Sequence, residues 1–485
     1  MVENVSAKGN GQKWKERSYG VATHIKDYCT NCTLVGFAYI ANSRLHFTER
    51  IFWLFCVLIS SFGCYHLITE YQRSFPSRAV SIVFESLPPF TKWKFPTVSV
   101  CEMAQKNVMF PTIVDYIEGL GVDLNGKYPF DVESAMNVIL FPVQYNENAF
   151  KTKCAEAVKN CLNPCATCPE GDFRQTLTWY GANCSDLFVE CYISGRPFNC
   201  CQYFQPLLTP YGQCFLLNSL LNNEPGSKHW LPNQLDPANE KAVVNLVTVM
   251  AVQVTLINEE DIPHTALSPT GVQLITPGLS KYIQFNQVEM VNDPDVREVA
   301  PQIRSCYFPD ENPSSSIYKV YSFSVCISEC VRELQMKTCN CTSVFYNPHA
   351  DPRFPDCDLT GLYCLELARM VRPDSRILNS NNKHFNNESC GCLPSCNQGD
   401  IHVVYEPQLM VRNPNKYFNG TLDMPFLPTD QYRRQAIRTR LDVIVSIGGM
   451  LGLFLGASLL SAIEFIYYFA VRPFHNKTRA RSPRA

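Results

Sequence analysis

The chain has 485 residues, enough for more than one domain, and its formal net charge is −2. A balance so close to zero lacks the strongly basic surface of a nucleic-acid-binding protein, so we expect no nucleic-acid partner. Its informative features are two apolar runs near the ends and 24 cysteines.

The first 50 residues are polar and have no early apolar core, which predicts that no cleavable signal peptide is present. They contain Cys29-Thr-Asn-Cys32, and a lone CxxC pair is a weak indication of zinc. We therefore expect reduced thiols and no bound metal. Gly36 indicates a turn shortly before the first apolar run.

The first apolar run extends from Ile51 to Thr69 and contains no Lys, Arg, Asp or Glu. Its length is close to the roughly 20 residues that a helix needs to cross the hydrocarbon core of a bilayer. The run is predicted to be a first membrane span that acts as an uncleaved anchor.

The second apolar run, Leu441–Val471, has no charged residue between Asp442 and Glu464. It is long enough to be a second span, so both termini lie on the same side of the membrane. Gly448, Gly452 and Gly456 follow each other at intervals of four residues, and such spacing allows close approach of another backbone.

Glu464 lies inside the second apolar run, where a carboxylate is costly and is expected to face water or a partner. If the run is helical there, Ser461 and Ala457 share the face of Glu464. A small, polar and acidic face suits a cation pathway. The alternative is that the glycines only pack two helices and that Glu464 pairs with a basic neighbour.

The middle segment is predicted to be extracellular. Twenty of the 24 cysteines lie between Cys101 and Cys396, and this density indicates disulfides and an oxidising compartment. Four glycosylation sequons support this placement, at Asn183, Asn340, Asn387 and Asn419. Arginines just before the second span favour the opposite orientation, but long loops are translocated largely regardless of charge.

These features predict five regions. They are a cytosolic segment (1–50), a first span (51–69), an extracellular disulfide-rich domain (70–440), a second span (441–471) and a cytosolic tail (472–485). Within the extracellular domain, 154–201 is expected to be a small stapled subdomain. The segment 306–396 combines a predicted helix at Ser324–Leu334 with many cysteines.

Several extended segments are predicted in the extracellular domain from β-branched content or alternation. They are Phe95–Cys101, Tyr282–Met290, Asp400–Glu406 and the valine-rich run Ala242–Ile257, for which a helix remains open. The domain is therefore expected to have a β-rich core.

No motif in the chain assembles a nucleophile, a base and an orienting group, so we do not expect an enzyme. Histidines such as His229, His264 and His349 occur singly. Proton sensing by them is an alternative, because the unperturbed pKa of histidine is near 6.5, but we expect surface histidines without that role.

With two spans, cytosolic ends and a cysteine-rich ectodomain, the chain resembles the degenerin/epithelial sodium channel family, which includes acid-sensing channels and the insect pickpocket branch. The resemblance is carried by Ile447–Ser458 in the second span, by Phe95–Cys101 and by Cys306-Tyr-Phe-Pro-Asp-Glu. It implies a membrane protein of two transmembrane helices and a large α+β extracellular domain with a β-rich core and a helical thumb.

The resemblance also implies a function: a sodium-selective, amiloride-sensitive cation channel of the plasma membrane, made of three like or related subunits and gated through its extracellular domain. Gly456, Ala457 and Ser458 match the selectivity filter, and Glu464 matches the acidic position below it. Sodium is then the permeant ion, and no cofactor is expected. Four further positions match residues linked to gating or blocker binding, namely Gly36, Tyr65, Val445 and Gly452.

The disulfide pattern of the family implies seven pairs in this chain. They are Cys101–Cys214, Cys191–Cys200, Cys306–Cys396, Cys326–Cys392, Cys330–Cys390, Cys339–Cys364 and Cys341–Cys357. Six cysteines are left without an assigned pairing, namely Cys154, Cys161, Cys165, Cys168, Cys184 and Cys201.

The chain departs from the family at Val35-Gly36, where the family has His-Gly before the first span. It also lacks an aromatic residue just before Cys306. Two alternative functions remain. An ATP-gated receptor channel would need clustered lysines, which the sequence does not show; a non-conducting or regulatory ectodomain receptor would make the glycines and Glu464 incidental.

Overall fold

The computed structural model describes the chain in thirteen stretches. They are 25–74, 80–87, 93–103, 173–232, 234–235, 242–264, 272–274, 277–371, 390–405, 407–410, 417–426, 429–437 and 440–472. The chain divides into two compact units. The first, which we call the span unit, comprises residues 1–81, 293–304 and 435–485; the second, the loop unit, comprises 82–292 and 305–434.

The helices are numbered in chain order. They are α1 (25–31), α2 (Phe37–Ala41), α3 (Phe47–Ser74), α4 (Phe173–Tyr180), α5 (Cys184–Leu187), α6 (Cys200–Tyr203), α7 (Pro301–Arg304), α8 (Phe323–Cys339), α9 (Leu359–Leu367), α10 (Arg440–Leu455) and α11 (Leu459–Ile466). A π-helical turn, Tyr467–Val471, continues α11.

The strands are numbered in the same way. They are β1 (Val80–Ser86), β2 (Trp93–Lys94), β3 (Thr97–Glu102), β4 (Phe188–Ile193), β5 (Arg196–Phe198), β6 (Phe204–Thr209), β7 (Gly212–Leu217), β8 (Gln234–Leu235), β9 (Ala242–Thr248), β10 (Val252–Ile257), β11 (Val272–Leu274), β12 (Leu279–Asn292), β13 (Asp400–Tyr405), β14 (Gln408–Met410), β15 (Phe418–Met424) and β16 (Asp430–Ala436).

The loop unit contains the β-rich core that the sequence predicted. A nine-stranded mixed sheet has the order β1-β16-β12-β15-β9-β4-β5, with β13 and β14 also paired to β12. A five-stranded sheet has the order β11-β10-β3-β7-β6. A buried cluster packs side chains of both sheets together, including Phe204 of β6 and Phe285 of β12, so this part of the core lies between the sheets.

The valine-rich run 242–257 is two strands in different sheets, not one strand or a helix. The chain bends at 249–251, where the Val249 N–H donates to the Leu187 carbonyl and the Ala251 carbonyl accepts from Met103. In β9 the side chains alternate between buried and half-buried, whereas every residue of β10 is buried. Local composition could not reveal this break, because both strands are rich in β-branched residues.

The region 306–396 contains the predicted helix, which begins earlier and ends later than expected. The Ser322 hydroxyl caps α8 by accepting from the Val325 N–H, and α8 ends at Asn340 in a left-handed conformation. Cys326 and Cys330, one turn apart on α8, bond to Cys392 and Cys390. A helix of this length gains its stability from such tertiary links.

All seven disulfides that the resemblance implied are present. An eighth, Cys184–Cys201, joins two cysteines whose pairing the sequence left open. Cys154, Cys161, Cys165 and Cys168, together with residues 154–172 of the expected stapled subdomain and the sequon at Asn387, lie outside the described residues.

The expectation of surface histidines is wrong for His264, whose side chain has no exposed area. Burial lowers the pKa of His264 to about 4, so its imidazole is neutral at physiological pH. His349 is exposed, as expected, although desolvation and the nearby positive charge of Arg174 lower its pKa.

The span unit contains the two predicted spans. The first is the apolar part of α3, Phe47–Arg73, which extends beyond the predicted run at both ends. The second is a pair of helices, Leu441–Leu455 and Leu459–Val471, bent by 76° at a short break. Gly63 of α3 lies close to α10, since a β-carbon there would come within 3.1 Å of the Phe454 ring.

Candidate functional site

The break in the second span falls at Gly456, Ala457 and Ser458. Gly456 has a φ of 63°, which glycine adopts without steric cost, and its N–H donates to the Gly452 carbonyl at 2.9 Å. A hydrogen bond from a left-handed residue to the carbonyl four positions earlier is a common C-terminal cap of an α-helix. Gly456 therefore ends α10.

Ser458 begins the next helix. Its hydroxyl accepts from the Ser461 N–H, and the Ser461 hydroxyl accepts from the Ser458 N–H, at 3.3 and 3.1 Å. This reciprocal pair is a capping box with serine at its third position. A glycine that stops one helix and a serine that starts another explain why this tripeptide breaks the span.

The segment before the first span reaches this break. The Val35 N–H donates to the Leu455 carbonyl at 3.1 Å, which gives a partner to one of the carbonyls left unpaired at the end of α10. The side chain of Val35 lies beside Gly456, and a β-carbon on that glycine would come within 2.5 Å of Val35 Cγ2.

Glu464 is hydrogen-bonded to Thr33 of the same segment. The Thr33 N–H donates to Glu464 Oε2 at 3.1 Å, and the Thr33 hydroxyl donates to the same oxygen at 2.9 Å. Thr33 Oγ1 also lies 2.7 Å from the buried Ser461 hydroxyl. Because the Thr33 hydroxyl proton is directed to Glu464, Ser461 donates its own proton to Thr33.

Helix α1 anchors this segment along the second half of the span. Tyr28 is buried in edge-to-face contact with Phe465 and Phe469. Asp27 forms an ion pair with Arg472 at 2.6 Å. These contacts are independent of the break, and they place Thr33 beside Glu464.

Gly36 forms the turn that the sequence predicted. Its φ is 94°, and a β-carbon would lie 2.5 Å from Val57 Cγ2 of α3. A glycine is needed here both for the conformation and for the close approach to α3.

The structure brings some of the predicted site residues together and leaves others apart. Ser461 and Glu464 lie on one face of α11, as expected, but Ala457 does not share that face through a continuous helix because it lies in the break. Tyr65 on α3 and Val445 on α10 are 68% and 63% exposed in the single chain.

Sequence reasoning missed Thr33 as a member of the site. Thr33 precedes Glu464 by 431 positions, and it belongs to no recognisable motif beyond its place next to Cys32. The signal that the sequence offered was the position of Thr33, a polar residue shortly before the first span.

Cys29 and Cys32 are free thiols in the structure, in agreement with the expectation of unpaired cysteines.

The loop unit has a separate cluster of buried acids. Glu260 accepts a hydrogen bond from the Ser395 hydroxyl at 3.1 Å, and Asp261 accepts one from the Ser324 hydroxyl at 2.8 Å. Burial raises the pKa of Glu260 to about 7 and also raises the pKa of Asp261. Glu260 therefore changes its charge near neutral pH.

Two apolar helical spans, the second broken by a Gly-Ala-Ser tripeptide, and a disulfide-linked β-rich segment between them define a two-span membrane protein of the ion-channel class. The sequence profile of the family described as "Amiloride-sensitive sodium channel" matches residues 28–468, and the chain belongs to that family. It is a family of ion channels and not of enzymes.

Individual relatives agree with this assignment. Pickpocket protein 19 of Drosophila melanogaster is 24% identical, over 87% of this chain and 86% of its own length. Sodium channel protein Nach of Drosophila melanogaster is 22% identical, over 92% and 86%. Acid-sensing ion channel 1A of Danio rerio is 23% identical over 59% of this chain and 58% of its own length.

Proposed function

We propose that this chain is a subunit of a sodium-preferring, amiloride-sensitive cation channel of the plasma membrane, gated through the segment between its spans. The single observation that carries the proposal is the break at 456–458, with the Glu464 carboxylate in the helix that follows it. Non-helical backbone at membrane depth is tolerated where it is buried in protein or lines a water-filled cavity.

The chemistry of the break suits a partly dehydrated cation. Backbone carbonyls that point out of a broken helix can replace water around sodium, and glycine and alanine keep the passage narrow. Glu464 supplies a negative charge below that point, where a low dielectric strengthens its attraction for a cation. One break cannot surround an ion, which favours a homotrimer or heterotrimer with related subunits.

The disulfides support the proposed orientation in the membrane. Eight disulfides in the described part of the loop unit need an oxidising compartment, so we place that unit outside the cell and both termini in the cytosol. Asn183 and Asn340 are exposed and suit glycosylation. Asn419 is half-buried on β15, which lies between β12 and β9.

Roles in gating and block are proposed for four residues. Gly36 sets the turn of the segment that reaches the break, and Gly452 lies one turn before it. Tyr65 and Val445 are exposed in the single chain and are available to contact sister subunits.

A non-conducting or regulatory subunit is the second candidate. Its supporting observation is that Val35 and Thr33 occupy the neighbourhood of the break and of Glu464 in this structure. A chain locked in this arrangement would assemble with relatives without contributing an ion pathway.

Voltage clamp of cells that lack such channels separates the two candidates. We expect an amiloride-blocked inward current that reverses near the sodium equilibrium potential, and we expect substitution of Gly456 or Ser458 to change the ratio of sodium to potassium permeability. A chain that reaches the cell surface and stays silent through ligand, salt and pH screens, alone and with related subunits, contradicts a conducting role.

A further inference from the structure

A carboxylate attracts permeant cations through its two oxygens, and one of them on Glu464, Oε2, accepts two hydrogen bonds from Thr33. The donors are uncharged, one from the backbone and one from the side chain. A cation near this oxygen would compete with both. The contact between Thr33 and Glu464 therefore affects cation binding and not only the packing of the segment before the first span.

The described contacts show that Thr33 is not needed to hold its segment in place. Asp27 pairs with Arg472, Tyr28 is buried against α11 and the π-helical turn, and the Val35 N–H bonds to Leu455. Removing the Thr33 hydroxyl leaves all of these intact. Its effect is confined to the Glu464 oxygen and the Ser461 hydroxyl.

We propose that Thr33 is a positioning residue of the ion site, which holds the Glu464 carboxylate against Ser461 and competes with cations for Oε2. This inference deepens the proposed function and rests on it. A cation that binds Glu464 releases Thr33, and a docked Thr33 weakens cation binding by the same factor, as linkage requires.

The competition sets how strongly a cation is retained at the site. A channel must bind ions well enough to admit them and weakly enough to release them. By taking up part of the charge of Glu464, Thr33 keeps the carboxylate from binding divalent cations tightly. Hard oxygen ligands such as this carboxylate favour Ca²⁺ over softer metals.

The test compares Thr33→Val with Thr30→Val. Valine keeps the shape of threonine and the backbone N–H but loses the hydroxyl. Thr30 is a matched control on α1, because the hydrogen bonds of its hydroxyl among the described residues stay within that helix: it donates to the carbonyls of Lys26 and Asp27, at 3.0 Å each, and accepts from the Asn31 side chain at 3.4 Å. Thr33→Ser retains the hydroxyl and serves as the conservative variant.

The readout is block of sodium current by Ca²⁺ applied to the cytosolic face of excised patches. We expect Thr33→Val to lower the half-blocking concentration by about 5-fold or more, the lower end of typical coupling between linked ligands. Thr30→Val and Thr33→Ser should match the original chain. In a Glu464→Gln background, Thr33→Val should have no further effect. Equal block in Thr33→Val and Thr30→Val would overturn the inference.

A second measurement keeps the inference testable if the chain passes no current alone, a result that counts against the proposed function and not against the competition. Purified full-length protein is heated with and without Ca²⁺. We expect Ca²⁺ to raise the Tm of Thr33→Val more than that of Thr30→Val, because freed carboxylate binds the ion and binding to the folded state stabilises it. The extra rise must vanish in Thr33→Val/Glu464→Gln; if it persists there or never occurs, Thr33 does not compete for Glu464.

Discussion

Val35 Cγ2 lies 2.5 Å from the place that a β-carbon on Gly456 would occupy. The two residues belong to opposite ends of the chain, and Gly456 already has a φ of 63°. A side chain at this position therefore meets both a backbone conformation that L-residues avoid and the methyl group of Val35.

Gly456→Ala is expected to abolish or strongly reduce current and to lower Tm. The left-handed conformation alone costs an L-residue about 1–2 kcal/mol. Gly448→Ala is the matched control, because a β-carbon there meets nothing within 4 Å and lies in a regular helix, where alanine adds about 0.5–1 kcal/mol of stability. In Gly456→Ala/Val35→Ala we expect partial recovery of Tm, since the clash is relieved but the conformational cost remains.

Ser458→Ala removes the side-chain acceptor that caps α11. We expect a loss of about 1 kcal/mol in the free energy of unfolding and a shift in the ratio of sodium to potassium permeability, because the start of α11 is no longer held at Ser458. Ser458→Thr keeps the capping oxygen and should retain most of both properties. Identical selectivity in Ser458→Ala and the original chain would contradict a filter at this tripeptide.

The buried Glu260 predicts a pH dependence of stability. Its pKa is about 7 in the folded chain, well above its ordinary value of 4.5, so the folded state binds the proton more tightly than the unfolded state. Stability is therefore highest below pH 4.5 for this group and falls as pH rises from about 4.5 to about 7, by at most on the order of 3 kcal/mol.

Thermal unfolding at pH 5.5 and pH 8, read with ~1 kcal/mol resolution, measures this effect. We expect Glu260→Gln to reduce the loss of Tm between the two pH values, because glutamine does not titrate and its carbonyl can still accept from Ser395. Glu224→Gln is the control, since that side chain is 76% exposed. A pH response of Glu260→Gln equal to that of Glu224→Gln would argue against a raised pKa.

Arg174 links two distant segments of the loop unit. Its guanidinium donates to both carboxylate oxygens of Asp356, at 2.7 and 2.8 Å, and to the Asn347 carbonyl at 2.8 Å. We expect Arg174→Ala to lower the free energy of unfolding by about 1.5–3 kcal/mol, the range for hydrogen bonds to charged groups.

Arg353 offers the comparison for Arg174. It pairs with Asp351 only two positions away, and its side chain is 61% exposed. Exposed local pairs contribute little to stability, so Arg353→Ala should leave Tm nearly unchanged in the same denaturation experiment. If both variants lose the same free energy of unfolding, the contacts of Arg174 contribute no more to stability than the exposed pair of Arg353 does.

Much of the architecture could be predicted from the sequence. The two spans were recognisable because hydropathy depends on contiguous residues, although α3 extends beyond 51–69. The family resemblance singled out residues 456–458 as the filter, and the physical reason for the break there is local, since Gly456 permits a positive φ and Ser458 caps the next helix. The seven implied disulfides also appear, whereas Cys184–Cys201 required coordinates.

Other features could not be predicted from the sequence, and they share one physical reason. The split of 242–257 depends on hydrogen bonds to Leu187 and Met103, and the burial of His264 and Glu260 depends on elements packed over them. Such environments are created by segments far away in the chain, and the hydrophobic periodicity of a local stretch contains no information about them.

The sequence by itself determined that this protein crosses the membrane twice, that its second span carries a carboxylate, and that its middle segment is held by disulfides. These properties come from local composition and covalent chemistry. Only the tertiary structure decided what Glu464 contacts, because the hydrogen bonds from Thr33 join residues 431 positions apart. A contact of that kind exists only after α1 has packed against the end of the second span.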